Sequence, residues 1–223
     1  YRFDLQIEED LIEEIARLFG FENIPELMPV ANIRISSQAE TQRGLHSIRH
    51  MVAAQDYQEV VNYGFIDQES ETVLNANQQA IQVQNPLAEQ FAVMRSSLLG
   101  GLLNNLKSNL NRKASRVRLF EVGRVFIRDQ AVQDGPLSVG GIHQPIKIGG
   151  IAYGGVFPEQ WGSASKKVDF FDVKSDIEAI VQPLKVITQA ATHPALHPGR
   201  SAKIIVVKDK QHIELGFLGE LHP

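Results

Sequence analysis

Between residues 97 and 127 the hydrophobic period of the chain changes abruptly, and this limits the folds open to it. Leu98, Leu99, Leu102, Leu103, Leu106 and Leu110 recur at helical spacing through SLLGGLLNNLKSNLN, despite the glycine pair. VRLFEVGRVFI, residues 117–127, follows and reads as a strand. The same switching occurs elsewhere without regular βαβ alternation, so the pattern predicts an α+β fold, a largely antiparallel sheet with helices on one side.

The remaining elements follow from the same reading. EEDLIEEIARLF, residues 8–19, is an amphipathic helix with Leu11, Ile15, Leu18 and Phe19 on one stripe and Ile12 at its edge, stopped by Gly20. FENIPELMPV then carries two prolines and little periodicity, which marks a linker and a domain boundary near residue 25. A helix is expected from about Ala39 to Gln55, with Leu45, Ile48, Met51 and Val52 as its apolar side. YQEVVNYGFI, residues 57–66, reads as a strand, and Asp67 starts a short helix over 67–76. IQVQNPL and FAVMRSS flank a turn at Asn85-Pro86. IKIGGIAYGGV reads as a buried strand, 169–182 as a helix, and the end of the chain as three strands over 184–190, AKIIVVK and IELGFLGEL.

Composition excludes several function classes. No apolar run approaches the ~18–20 residues needed to span a bilayer. The chain has no cysteine, hence no disulfide framework, zinc-thiolate site or thiol nucleophile, and a cytoplasmic location fits this. A net charge of −4 leaves only a local run, Lys107, Arg112, Lys113, Arg116 and Arg118, for nucleic-acid contact; the competing reading is a solvated helix end. The opening Tyr1, inside what reads as a strand, and the closing His222-Pro223 lead us to expect a piece of something longer.

Standard nucleotide-binding motifs are missing: there is no G-x-x-x-x-G-K-[ST], and no G-x-G-x-x-G between a strand and a helix. Gly149-Gly150 and Gly154-Gly155 read instead as points of close packing in a strand. His193 and His197 are each followed by proline, which breaks the helix that would align them as metal ligands. No serine sits in G-x-S-x-G. The strongest candidate is acidic. Asp10, Glu13 and Glu14 share one helix face, and Asp4 lies six residues before Asp10 on an extended approach. Four such carboxylates suit a hard cation such as Mg²⁺, which takes one or two carboxylates plus waters. A solvated helix N-terminus, with Glu13 pairing Arg17, satisfies the same spacing.

Taken together, the blocks RFDLQIEEDLIEEIARLFGFENIP, VVNYGF, NPLAEQFAVMRSSLLGGLL, RLFEVGRVF, VDFFDVKSDIEAI, LHPGRSAKI and LGFLGELHP resemble, in order, the beta subunit of bacterial phenylalanyl-tRNA synthetase. The resemblance implies a longer multi-domain chain. Here residues 1–25 would be the end of a small helical domain, and residues 26–223 a class II synthetase-like, catalytic-like domain with an antiparallel sheet flanked by helices. It implies an alpha-subunit partner in an (αβ)₂ heterotetramer that charges tRNA(Phe) using ATP. It also implies magnesium at Asp4, Asp10, Glu13 and Glu14, shared with the alpha subunit. Active class II enzymes carry an Arg-x-Glu pair on a strand, whereas Arg118 and Glu121 here are separated by Leu119 and Phe120. Side chains alternate along a strand, so this spacing puts the two on opposite faces. Gly199-Arg200 is the only trace of a glycine-rich ATP-binding segment, and Arg200 reads as structural or interfacial. The expectation is a non-catalytic domain whose helix 39–55 and strand 57–66 pack against the alpha subunit. The alternative for Leu45, Ile48 and Val52 is plain core.

Overall fold

The computed structural model describes residues 3–33, 43–208 and 211–223. The chain divides into two compact units, Tyr1–Gln42 and Arg43–Pro223. Among its described residues the first holds one α-helix, α1 (Glu8–Phe19), with the expected bounds. It ends where Gly20 turns to a φ of 92° and its N–H reaches the Ala16 carbonyl, a conformation open to glycine because it lacks Cβ. Leu11, Ile15, Leu18 and Phe19 are exposed.

The second unit is built on β4 (Val117–Arg124), which is buried along its first five residues. β4 pairs in parallel with β1 (Gln58–Glu59) and antiparallel with β7 (Ile146–Tyr153), giving a sheet in the order β1-β4-β7. Val117 and Leu119 pack with Leu102 and Leu106 from α4 (Leu99–Asn111) and with Leu98 at its N-cap. On the other face Phe120 packs with Val52 and Tyr57, joined by Ile48 of α2 (Leu45–Ala54) and Ile180 of α5 (Phe170–Val181). Burying a leucine as fully as Leu102 contributes roughly 1.5–3 kcal/mol, so α4 is held mainly by this face.

A second three-stranded sheet, β10-β9-β8, is antiparallel throughout: β8 (Lys185–Ala190), β9 (Leu196–Lys208) and β10 (Gln211–Leu221). Two short ribbons complete the unit. β2 (Phe65–Ile66) pairs with β3 (Val93–Met94), and β5 (Ile127–Arg128) with β6 (Ile142–His143). Between them α3 (Gln68–Asn75) starts at Asp67, whose carboxylate accepts the Ser70 N–H at 2.7 Å. α5 has a reciprocal cap: Asp169 accepts from Phe171 and Asp172, and Asp172 accepts the Asp169 N–H.

The α+β class therefore holds, with three corrections. Helices cover both faces of the β4 sheet, and one of its pairings is parallel, because β4 carries apolar residues on both sides. The expected strand 57–66 breaks into β1 and β2: Val60 N–H bonds to the Phe120 carbonyl, after which Asn62 turns to Glu121 and the chain leaves for the β2-β3 ribbon. IKIGGIAYGGV is not buried, since β7 is an edge strand with Ile146 and Ile148 half exposed. The glycine reading does hold. A Cβ on Gly149 would lie 3.1 Å from Leu102 and 3.2 Å from Leu98, so glycine there lets α4 approach the sheet. The helix expected from Ala39 is seen from Leu45; residues 39–42 lie outside the described residues.

Candidate functional site

In the acidic segment, Asp4 lies in a turn, not on an extended approach. Asp10 Oδ2 accepts the backbone N–H groups of Gln6 at 2.8 Å and Ile7 at 3.0 Å. These two bonds hold its carboxyl below the usual carboxylate range, against the opposing repulsion of Asp4. Glu14, not Glu13, meets Arg17, with Oε2 2.6 Å from Nη2 at i,i+3. Among the described residues no three His, Asp or Glu side chains converge as metal ligands. Asp4, Asp10, Glu13 and Glu14 thus fit at most half of a hard-cation site. The donors are oxygen-only, as Mg²⁺ requires, but Asp10 is engaged in closing the helix and Glu14 in an ion pair.

The second candidate lies on β4, where Arg118 and Glu121 do face opposite ways. Arg118 Nη1 bonds Asp176 Oδ2 of α5 at 2.9 Å, and its guanidinium sits 5.1 Å from the centre of the Tyr57 ring. Tyr57 donates to the same Asp176 oxygen at 2.9 Å, and burial followed by the Asp176 charge pushes its phenol well above the ordinary range. Glu121 is buried on the α4 side and bonds Arg95 Nη1 at 2.7 Å. Its other oxygen accepts from Asn62 Nδ2 at 2.8 Å, and Asn62 Oδ1 in turn accepts from Asn105 at 2.8 Å. Arg95 Nε also donates to the Arg124 carbonyl. Arg118 and Glu121 are thus each neutralised by a residue distant in sequence. Arg95, Asp176, Tyr57, Asn62 and Asn105 escaped the sequence reading because nothing in their local spacing marks such partners.

The other singled-out residues are occupied structurally. Arg116 bonds the Gly155 and Val156 carbonyls and pairs with Asp56 at 2.6 Å, so Arg116 and Arg118 both leave the basic run 107–118. Arg200 pairs across the strands with Glu220. His193 and His197 each accept a backbone N–H through Nδ1, from Ala195 and Gly199 respectively.

Arg118 and Glu121 thus each meet an opposite charge on their own face of β4, and Arg118 also lines a cleft with Asp56, Arg116, Asp172 and Asp176, where its buried Nε has no hydrogen-bond partner. Residues 24–223 match the family model described as the phenylalanyl tRNA synthetase beta chain CLM domain, which sets the chain among aminoacyl-tRNA synthetase subunits. The chain is 54% identical over 223 residues to the phenylalanine–tRNA ligase beta subunit of Ralstonia nicotianae, covering all of this chain and 27% of that one. It is 52% identical to the corresponding subunit of Cupriavidus pinatubonensis at the same coverage. A solved structure, a pyrrolysyl tRNA synthetase from Desulfitobacterium hafniense, aligns with a TM-score of 0.45 and 11% identity over 76% of this chain and 54% of that one. The chain belongs to the phenylalanyl-tRNA synthetase beta chain family, and it spans about a quarter of the length of these curated relatives.

Proposed function

We propose that this chain is a non-catalytic, class II synthetase-like domain of a phenylalanine–tRNA ligase beta subunit that scaffolds a catalytic alpha subunit. The observation that carries this reading is the back-to-back placement of Arg118 and Glu121, each consumed in a buried ion pair. A strand arranged in this way has no Arg-Glu clamp to offer ATP and an amino acid. ATP-dependent charging of tRNA(Phe), in a cytoplasmic (αβ)₂ assembly, is then work of the whole enzyme, to which this domain lends shape. In this reading residues 1–25 are the end of a preceding small helical domain.

The docking face is narrower than helix 39–55 plus strand 57–66. Val52 belongs to the core and Ile48 packs against it, so the plain-core alternative holds for those two residues. Val61 and Tyr63, where the expected strand breaks, stand 90% and 70% exposed and supply the apolar contact proposed for the alpha subunit. Co-expression with the alpha subunit tests this: the chain should co-purify with it, and Val61→Asp with Tyr63→Asp should abolish capture, with Val61→Asp alone leaving the melting temperature unchanged because, of the two, only Tyr63 packs on Phe91. Capture unaffected by these changes would overturn the assignment of this face.

Magnesium enters this reading only as an ion shared across that assembly. It draws on some of Asp4, Asp10, Glu13 and Glu14 and takes its remaining ligands from the partner and water. The oxygen-only donors support it. Asp10→Asn with Glu14→Gln should weaken the magnesium-dependent activity or assembly of the full heterotetramer, and an unchanged magnesium dependence would leave the cluster as a capped helix start.

A further inference from the structure

We propose that His46 and His50 on α2 form a surface chelate for a borderline divalent transition-metal ion, with Ni²⁺ and Cu²⁺ fitting best. The two residues are four apart on one helix, which places their side chains one turn above the other. Both are exposed, and their Nε2 atoms face each other at 3.0 Å, with the rings nearly perpendicular at 79°. Two nitrogens at this separation, each bound to a metal at about 2.0–2.1 Å, subtend an angle of about 94° at the ion. That is close to the right angle of square-planar and octahedral coordination, so the nitrogens need not move apart and the two exposed rings have only to turn toward a common ion. A tetrahedral ion such as Zn²⁺ would need the nitrogens a few tenths of an ångström further apart.

The helix that carries the pair is already anchored without metal. On its inward side α2 is anchored by Val52 and Ile48 in the Tyr57–Phe120 cluster, and Arg49 is tied to Glu59 at 2.8 Å. Without metal, the facing nitrogens are satisfied by one imidazole donating to the other. On binding, the donor ring passes that proton through water to its own Nδ1, so that both rings stay neutral and both Nε2 lone pairs serve the ion. Since no third His, Asp or Glu joins the pair among the described residues, water completes the coordination and the ion stays exchangeable. Imidazole donors distinguish this position from the acidic segment, whose oxygens suit hard cations.

Calorimetric titration of the 223-residue chain with Ni²⁺ near pH 7.5 tests the proposal, with His46→Gln and His50→Gln prepared separately. We expect one saturable Ni²⁺ per chain. Loss of even an outer-shell partner costs 10–100-fold in metal affinity, so each variant should lose roughly tenfold or more. With Cu²⁺, electron spin echo spectra should show two equatorial imidazoles in the parent and one in each variant. Both side chains are exposed, so the metal-free melting temperatures should coincide and a lost site will not be mistaken for lost folding. Equal Ni²⁺ affinity in parent and variants, or no saturable binding by the parent, would overturn the proposal.

Discussion

Arg95 Nη1 stands 2.7 Å from Glu121 Oε1, with their side chains only 6% and 2% exposed. This pair closes the α4 face of β4 as Arg118 and Asp176 close the other. Removing one partner of such a pair strands the other charge in a low-dielectric interior. Glu121→Ala should therefore cost about 3–5 kcal/mol, read as a lowered urea midpoint. Glu121→Leu combined with Arg95→Met should recover much of that loss, because no charge is then left unpaired.

Tyr57→Phe removes the hydroxyl donated to Asp176 while leaving the ring against Val52 and Phe120. Asp176 keeps its Arg118 partner, so the cost should be modest, about 0.5–1.5 kcal/mol by chemical denaturation. In the parent, the absorbance of this phenol should resist titration through pH 10, because burial and the neighbouring carboxylate both oppose its ionisation.

Gly154 has a φ of 89°, and a Cβ there would overlap the Ser115 carbonyl oxygen. A Cβ on Gly149 would meet leucine side-chain atoms, Leu102 Cδ1 and Leu98 Cβ, and no backbone atom among its nearest neighbours. Gly149→Ala should cost about 1–3 kcal/mol through crowding of α4, and Gly154→Ala more, since strained backbone is added to the clash. Equal melting temperatures for the two variants would contradict this ordering.

Asp67→Ala should cost about 0.5–2 kcal/mol at neutral pH through loss of the α3 cap. Burial alone would raise the Asp67 carboxyl, but the bonds from Ser70 outweigh it and hold the group below 3.8. A depressed folded value means the cap contributes fully above the unfolded value near 4 and fades as pH falls through the lower folded one. The stability gap between parent and variant should therefore narrow below pH 4 and stay constant above pH 6.

Much of the fold was legible because periodicity is local. The bounds of α1 follow from its leucine and isoleucine stripe and Gly20, and the start of α3 from Asp67. The opposite placement of Arg118 and Glu121 followed from counting residues on a strand. What could not be read was tertiary. Nothing around Asn62 announces that it will turn to Glu121 and end the strand, and nothing in AVMRSS marks Arg95 as the partner of a glutamate 26 residues later. In the acidic segment, spacing gave the helix face correctly. It did not reveal that Asp10 would be drawn back to the Gln6 and Ile7 amides, or that Arg17 would choose Glu14.

The most direct test of the scaffold reading is phenylalanine-dependent ATP–pyrophosphate exchange, measured on the purified chain and on the chain mixed with its alpha subunit. With Arg118 and Glu121 each neutralised on its own face, the chain alone should give no exchange above background, and exchange should appear only with the partner present. Exchange by the chain alone that is lost on Arg118→Ala would contradict the account, because it would return that arginine to an active site.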